Sequence, residues 1–207
     1  MENETSVLPP DHPQQLDRAL LSLEGLSAGD AFGQCFFCDR LLVEGRLEGR
    51  HAPPAPWFFT DDTVMAISIV RNLQQYGGIN QDALAGMFVS EYVKDPRRGY
   101  GGTAHSILQR ISNGVSWQLA SREVFDGMGS MGNGGAMRAA PIGAYFADDI
   151  SKAIEHARLS AEVTHAHAEG QAGAIAIAVA AAWAFTHRDK PNIGNRELIE
   201  YVADHTP

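Results

Sequence analysis

The sequence has little cysteine, a shortage of positive charge and no long hydrophobic run, and each shortage excludes something. Only Cys35 and Cys38 occur in 207 residues. That is too few for a disulfide-stapled fold and suits a reducing compartment. Their C-x-x-C spacing fits half a zinc site or a redox pair. With no second pair, they read better as two semi-buried thiols in the aromatic stretch Cys35-Phe36-Phe37-Cys38. Lysine and arginine total 16 against 25 aspartates and glutamates, a formal net charge of -9. So acidic a chain is not expected to track the phosphates of a nucleic acid. A pocket could still hold a small phosphate through backbone N–H groups and a metal. Met1 to Pro13 has no apolar core of the signal-peptide kind. The longest apolar run, Ala172 to Phe185, reads as too short and too rich in alanine to span a bilayer. These features predict a cytoplasmic protein with neither nucleic acid nor membrane as partner.

Strict period-two alternation is also missing over any useful length, and so is any internal repeat, which predicts an all-α chain. Residues 1–12 read as a flexible tail and residues 13–207 as one helical domain. Leu16, Leu20 and Leu23 mark a first helix ending near Gly29. A long connection over 34–59, with Pro53-Pro54-Ala55-Pro56, is functional or loosely held. A second helix opens at Thr60 or Asp61, buries Val64, Ile67, Val70 and Leu73, and stops at Gly77-Gly78. Further helices follow Asn80, Thr103 and Ile150. Another comes after the glycine-rich stretch and is interrupted by Pro141. Glu169 to His187, small on all sides, predicts a central helix with close neighbours. A last helix opens after Asn195.

Four segments could carry chemistry. In Thr60-Asp61-Asp62-Thr63 two carboxylates stand between two hydroxyls at a helix start. Capping and dipole complementarity explain this pattern. A hard-cation site, which wants clustered oxygen ligands, explains it equally well. Gly127 to Gly135 lets the backbone bend tightly and approach a ligand, and it feeds a helix with Asn133 as cap, a place for an anion. His165 and His167, two residues apart, read from the residues alone as a polar inter-helix turn rather than a metal ligand or a stacking ring. Asp95-Pro96-Arg97-Arg98-Gly99-Tyr100-Gly101 ends a helix at a proline, and Tyr100 could line a pocket.

In this order the motifs resemble the ADP-ribosylglycohydrolase family. The matching stretches are Gly29 to Gly33, Thr60 to Ala66, Asp95 to Gly101, Gly132 to Arg138 and Arg158 to His165. The resemblance implies a compact, orthogonal all-α domain with two Mg²⁺ ions in a cleft, Mn²⁺ being the alternative. It places Thr60, Asp61 and Asp62 at metal-ligand positions, with Asp61 and Asp62 catalytic. It places Ser130, Met131, Gly132, Asn133 and Gly134 around a diphosphate, His165 at the adenine end, and Gly99, Tyr100 and Gly101 beside the ligand. The implied reaction is hydrolysis at the distal ribose, releasing ADP-ribose from a modified protein or a small acceptor.

Two departures accompany the resemblance. The family carries a glutamate shortly after the Gly-Asp pair, where this chain reads Gln34-Cys35-Phe36-Phe37, so the general base has no assignment; Asp39 and Glu44 are the next carboxylates. The family also ends in an Asp-x-Asp-Thr/Ser motif, absent here, so the chain is expected to be C-terminally incomplete. A non-catalytic ADP-ribose-binding or structural relative is the alternative expectation.

Overall fold

A computed structural model describes residues 8–190 and 194–207, and among them there are helices and no strands. The helices run in the order α1 (His12–Gln34), α2 (Arg40–Gly49), α3 (Asp61–Tyr76), α4 (Gln81–Lys94), α5 (Gly102–Ser112), α6 (Trp117–Arg122), α7 (Ala140–Tyr145), α8 (Ile150–Glu162), α9 (Ala168–His187) and α10 (Asn195–His205). Side-chain caps explain most of the starts. The Thr60 hydroxyl accepts from Asp62 N–H, the Asn80 side chain from Ala83 N–H, and the Asp149 carboxylate from Lys152 N–H. Gly77, at φ +68, closes α3 in the left-handed conformation.

One main core joins α1, α3, α4, α5, α7 and α8 through Ala19, Met65, Ile69, Leu73, Leu84, Phe88, Leu108, Ile142, Tyr145 and Ala153. Helix α3 is enclosed on several sides, so its buried set is wider than the expected stripe. Met65, Ala66, Ile69, Val70 and Leu73 are buried, whereas Val64 and Ile67 are half-buried. A satellite cluster of Ala157, Ile175, Ala178 and Val179 joins α8 to α9. Small residues let backbones meet: a Cβ added at Gly143 of α7 would lie 1.9 Å from the carbonyl oxygen of Ala178 in α9. The apolar run expected to be too short for a bilayer sits in a 20-residue helix, which by length and composition alone is long and apolar enough to cross one. One side of that helix, with Ala174, Ile175, Ala178 and Val179, is buried.

Four other expectations change. The tail expected over 1–12 gives way by Leu8, because Leu8 and Pro9 lie against Gly77 and His12 Nδ1 is 2.6 Å from the buried Tyr145 hydroxyl; residues 1–7 lie outside the described residues. Helix α1 passes Gly29 and runs to Gln34, since one glycine costs only about 1 kcal/mol in a helix and tertiary contacts outweigh it. The long connection holds α2, capped by the Asp39 side chain and burying none of its residues. Pro141 starts α7 rather than interrupting a helix, because a proline in the first turn gives up no helical hydrogen bond.

Candidate functional site

The start of α3 is assembled around Asp30 of α1. One Asp30 oxygen accepts hydrogen bonds from Thr60 N–H (2.7 Å), Thr63 N–H (3.2 Å) and the Thr63 hydroxyl (2.6 Å). The other accepts from the Thr60 hydroxyl at 2.7 Å. A carboxylate thirty residues away thereby fixes the turn that carries Asp61 and Asp62. Asp61 is 7% exposed. Burial first, then Asp62 and then Asp30, push its carboxyl up to about 6. Burial and Asp30 likewise raise Asp62. Among the described residues neither has a salt-bridge partner. Capping alone needs no such concentration of like charge.

Gly99 closes over this pair. Its φ of +112 lies where residues with a Cβ are strained, and an added Cβ would stand 2.8 Å from Asp61 Oδ1. Asp61, Asp62 and Gly99 form one end of a cavity of about 630 Å³, whose other walls include Gly101, Ser130 to Gly134, Arg138, Thr164 and His165. The glycine-rich segment is shaped by four residues at positive φ, namely Phe125, Asp126, Gly127 and Gly129. An added Cβ at Gly129 would stand 2.7 Å from His167 N. The buried Ser130 hydroxyl accepts from Gly132 N–H at 3.2 Å. The segment does not feed a helix at Asn133 as expected. Residues 133–138 form turns, the Asn133 carbonyl accepting from Ala136 N–H and Met137 N–H, and α7 begins only at Ala140. An anion held here would meet turn N–H groups, not a helix end.

The two histidines part company. His167 Nδ1 accepts from Glu169 N–H and caps α9. His165 is buried against the glycine turn, with an added Cβ at Gly134 only 2.9 Å from its Cε1. Burial and then the Arg138 charge push its pKa down to about 3, so the ring is neutral. A folded-state pKa below the ordinary 6.5 adds stability in full above pH 6.5, and this is lost as pH falls toward 3. Asp61, raised to about 6, acts in the opposite sense below pH 6. The histidine contribution is therefore read as a difference between two proteins. The stability advantage of wild type over His165→Asn should shrink as pH drops from 7 to 5, by up to about 1.4 kcal/mol per pH unit. Urea melts with parallel pH profiles would contradict this.

Thr60 does not line the main cavity. It lines a second cavity of about 640 Å³ with Asp30, Asp61, Asp62 and, from the end of α1 and the turn after it, Gly33, Gln34 and Phe37. Asp61 and Asp62, with Gly99 and Asn133, line both cavities. Tyr100, expected beside a ligand, is not in either wall. It is 6% exposed and packs edge-on against Tyr92 and His105 in the core. Asp39 and Glu44 are engaged within α2, as its cap and in a pair with Arg40, and line neither cavity. Reading the residues one by one missed Asp30, Arg138, Phe125 and Thr164. Asp30 and Arg138 fell within matched stretches but had no local signal of their own. Phe125, 54% exposed at the cavity, owes its place to a strained turn that no periodicity announces.

The family model for ADP-ribosylglycohydrolase matches residues 11–206. The chain belongs to the ADP-ribosylglycohydrolase family. Similar relatives include ADP-ribosylhydrolase ARH3 of Xenopus tropicalis, 42% identical over 110 residues, which are 52% of this chain and 31% of that protein. The human ARH3 protein is 39% identical over 113 residues, 53% of this chain and 30% of its own length. That of Mus musculus is 38% identical over 113 residues, again 53% and 30%. The match therefore spans less than a third of each of these relatives.

A family metal can be tested against the residues present. Among the described residues no three histidine, cysteine or acidic side chains close a metal shell by themselves. Both Asp30 oxygens are already taken by Thr60 and Thr63. What remains is the Thr60 hydroxyl with two raised carboxylates that have no salt-bridge partner among the described residues, all of them oxygen donors. That donor set fits a hard divalent cation, with water or substrate oxygens filling the remaining positions.

Proposed function

We propose that this chain binds ADP-ribose in the cavity between the Asp61–Asp62 pair and His165 and takes part in hydrolysing its bond to a protein or small-molecule acceptor. The observation that carries this reading is the continuity of one 630 Å³ cavity from two carboxylates to a glycine turn and a neutral ring. The turn over Ser130 to Gly134 offers backbone N–H groups to a diphosphate without side chains in the way. The exposed Phe125, Met128 and Met131 give apolar area beside it for a base or sugar face. Gly99, lacking a Cβ, admits a sugar against Asp61.

Mg²⁺ held at Thr60, Asp61 and Asp62 would supply positive charge that positions ribose hydroxyls and water. Asp61 and Asp62 would hold that cation at the ribose; water's oxygen bonds to the anomeric carbon as the bond to the acceptor breaks, and the acceptor leaves with the electron pair and takes up the proton that water gives up. The acceptor would occupy the second chamber, beside Gln34 and Phe37.

A second reading has its own support. Phe37 is 84% exposed in the wall where the family's glutamate is expected, and among the described residues Asp30, Asp61 and Asp62 are the only acidic ones lining either chamber. A protein so built could bind ADP-ribose without turning substrate over. Calorimetry with ADP-ribose, with and without Mg²⁺, followed by release assays on serine- and arginine-modified peptides, separates the readings. Binding with Mg²⁺-dependent release supports the hydrolase, and binding without release supports the binding protein. No heat of binding at millimolar ADP-ribose defeats both.

A further inference from the structure

Arg138 is 1% exposed, yet no carboxylate pairs with it among the described residues. Its guanidinium lies 4.4 Å from the centre of the Phe88 ring, which offsets part of the cost of burying the charge. Nη2 donates to the Ser160 carbonyl at 3.0 Å and to the Thr164 hydroxyl at 2.8 Å. On its other side the Thr164 oxygen stands 2.8 Å from His165 Nδ1.

A guanidinium has only donors, so Thr164 Oγ1 must accept from Arg138. Thr164 is 2% exposed, and its own hydroxyl proton then has one acceptor within reach among the described residues, His165 Nδ1. Were Nδ1 protonated instead, the Thr164 oxygen would accept twice and its buried proton would have no partner, at a cost of about 1–3 kcal/mol. The ring therefore keeps Nδ1 bare and carries its proton on Nε2. That nitrogen faces the glycine turn, within 3.2 Å of where a Cβ at Gly134 would stand, and has no protein partner among the described residues.

We propose that Arg138 and Thr164 are positioning residues that lock His165 as the Nε2–H tautomer, so that it meets the ligand as a neutral hydrogen-bond donor to an oxygen held at the Ser130–Gly134 turn. The ligand half rests on the ADP-ribose reading above; the tautomer half does not. A ring that can only donate at that point favours an oxygen-rich group and rejects an ammonium, which has no lone pair to accept with. It also donates without adding charge beside the carboxylates.

Long-range ¹H–¹⁵N spectra of the histidine-labelled full chain distinguish the protonated from the bare ring nitrogen. Wild type and Thr164→Ser should both show His165 protonated at Nε2. Thr164→Val, which keeps the shape and removes the hydroxyl, should lose that preference and weaken ADP-ribose about tenfold. Should the valine variant fail to fold, Thr164→Ala takes its place, because a free imidazole already favours Nε2–H and only a variant without the hydroxyl shows what Thr164 adds. A wild-type ring protonated at Nδ1, or a valine variant with unchanged tautomer and affinity, overturns the relay. Normal Nε2–H spectra with no ADP-ribose binding overturn the functional reading and the ligand half with it, and uphold the tautomer.

Discussion

Asp61→Asn should raise the melting temperature of the metal-free protein and at the same time abolish its response to Mg²⁺. At pH 8 the wild type holds an ionised Asp61, 7% exposed, beside Asp62 and close to Asp30. Asparagine keeps the size of the side chain and removes the charge that burial and its neighbours disfavour. The relief should be about 1–2 kcal/mol, or about 2–8 °C in a chain of this length. Function should move the other way. Loss of a partner that merely supports a metal ligand costs about 10–100-fold, so loss of a ligand should lower Mg²⁺-dependent ADP-ribose release by more than about a hundredfold. A gain in stability with a loss of function separates a site from a cap, since asparagine still serves the first turn of a helix without the conflict of charge. Thermal melts with and without Mg²⁺, alongside release assays, test both halves. If Mg²⁺ stabilises wild type and Asp61→Asn equally, or release survives in both Asp61→Asn and Asp62→Asn, the metal assignment is wrong.

Gly143→Ala should be the most damaging single methyl in the molecule. The added carbon would stand 1.9 Å from Ala178 O, 2.6 Å from its carbonyl carbon and 2.8 Å from its Cα. All three are backbone atoms, so no rotamer change relieves the clash and α7 must move away from α9. Overpacking ordinarily costs about 1–3 kcal/mol, and a backbone collision belongs at or above the top of that range. A loss of more than about 3 kcal/mol corresponds to about 6–12 °C in melting temperature. Gly86→Ala is the matched control. It lies on the exposed side of α4, an added Cβ meets nothing within 4 Å, and a small gain from helix propensity is expected. Melting temperatures within about 2 °C of each other for the two variants would show that α7 and α9 do not meet as described. The site would also feel the displacement, because the turns over 133–138 lead directly into α7.

The helical class was legible because the pattern that makes helices is local. Thr60, Asn80 and Gly77 are caps that depend on a few neighbouring residues, and they stand where the sequence puts them. The small residues of α9 announced close neighbours, and Gly143 against Ala178 is such a contact. The positions of Asp61, Asp62, the glycine turn and His165 were legible as an ordered set of motifs, although nothing local says that they meet.

Tertiary structure decided the rest, since it depends on residues far apart in the chain. Asp30 reaches Thr60 and Thr63 only because α1 lies against α3. Tyr100 turns inward because Tyr92 and His105 offer an aromatic pocket behind it, which spacing alone could not reveal. Arg138 sits under His165 because the turns before α7 pack on the end of α8. The sequence by itself determined the helical class, the capped starts of α3 and α4, and which residue types the site contains. The packing of α1, α3, α7, α8 and α9 decided which of those residues share a cavity, because burial and like-charge proximity arise only where separate helices converge.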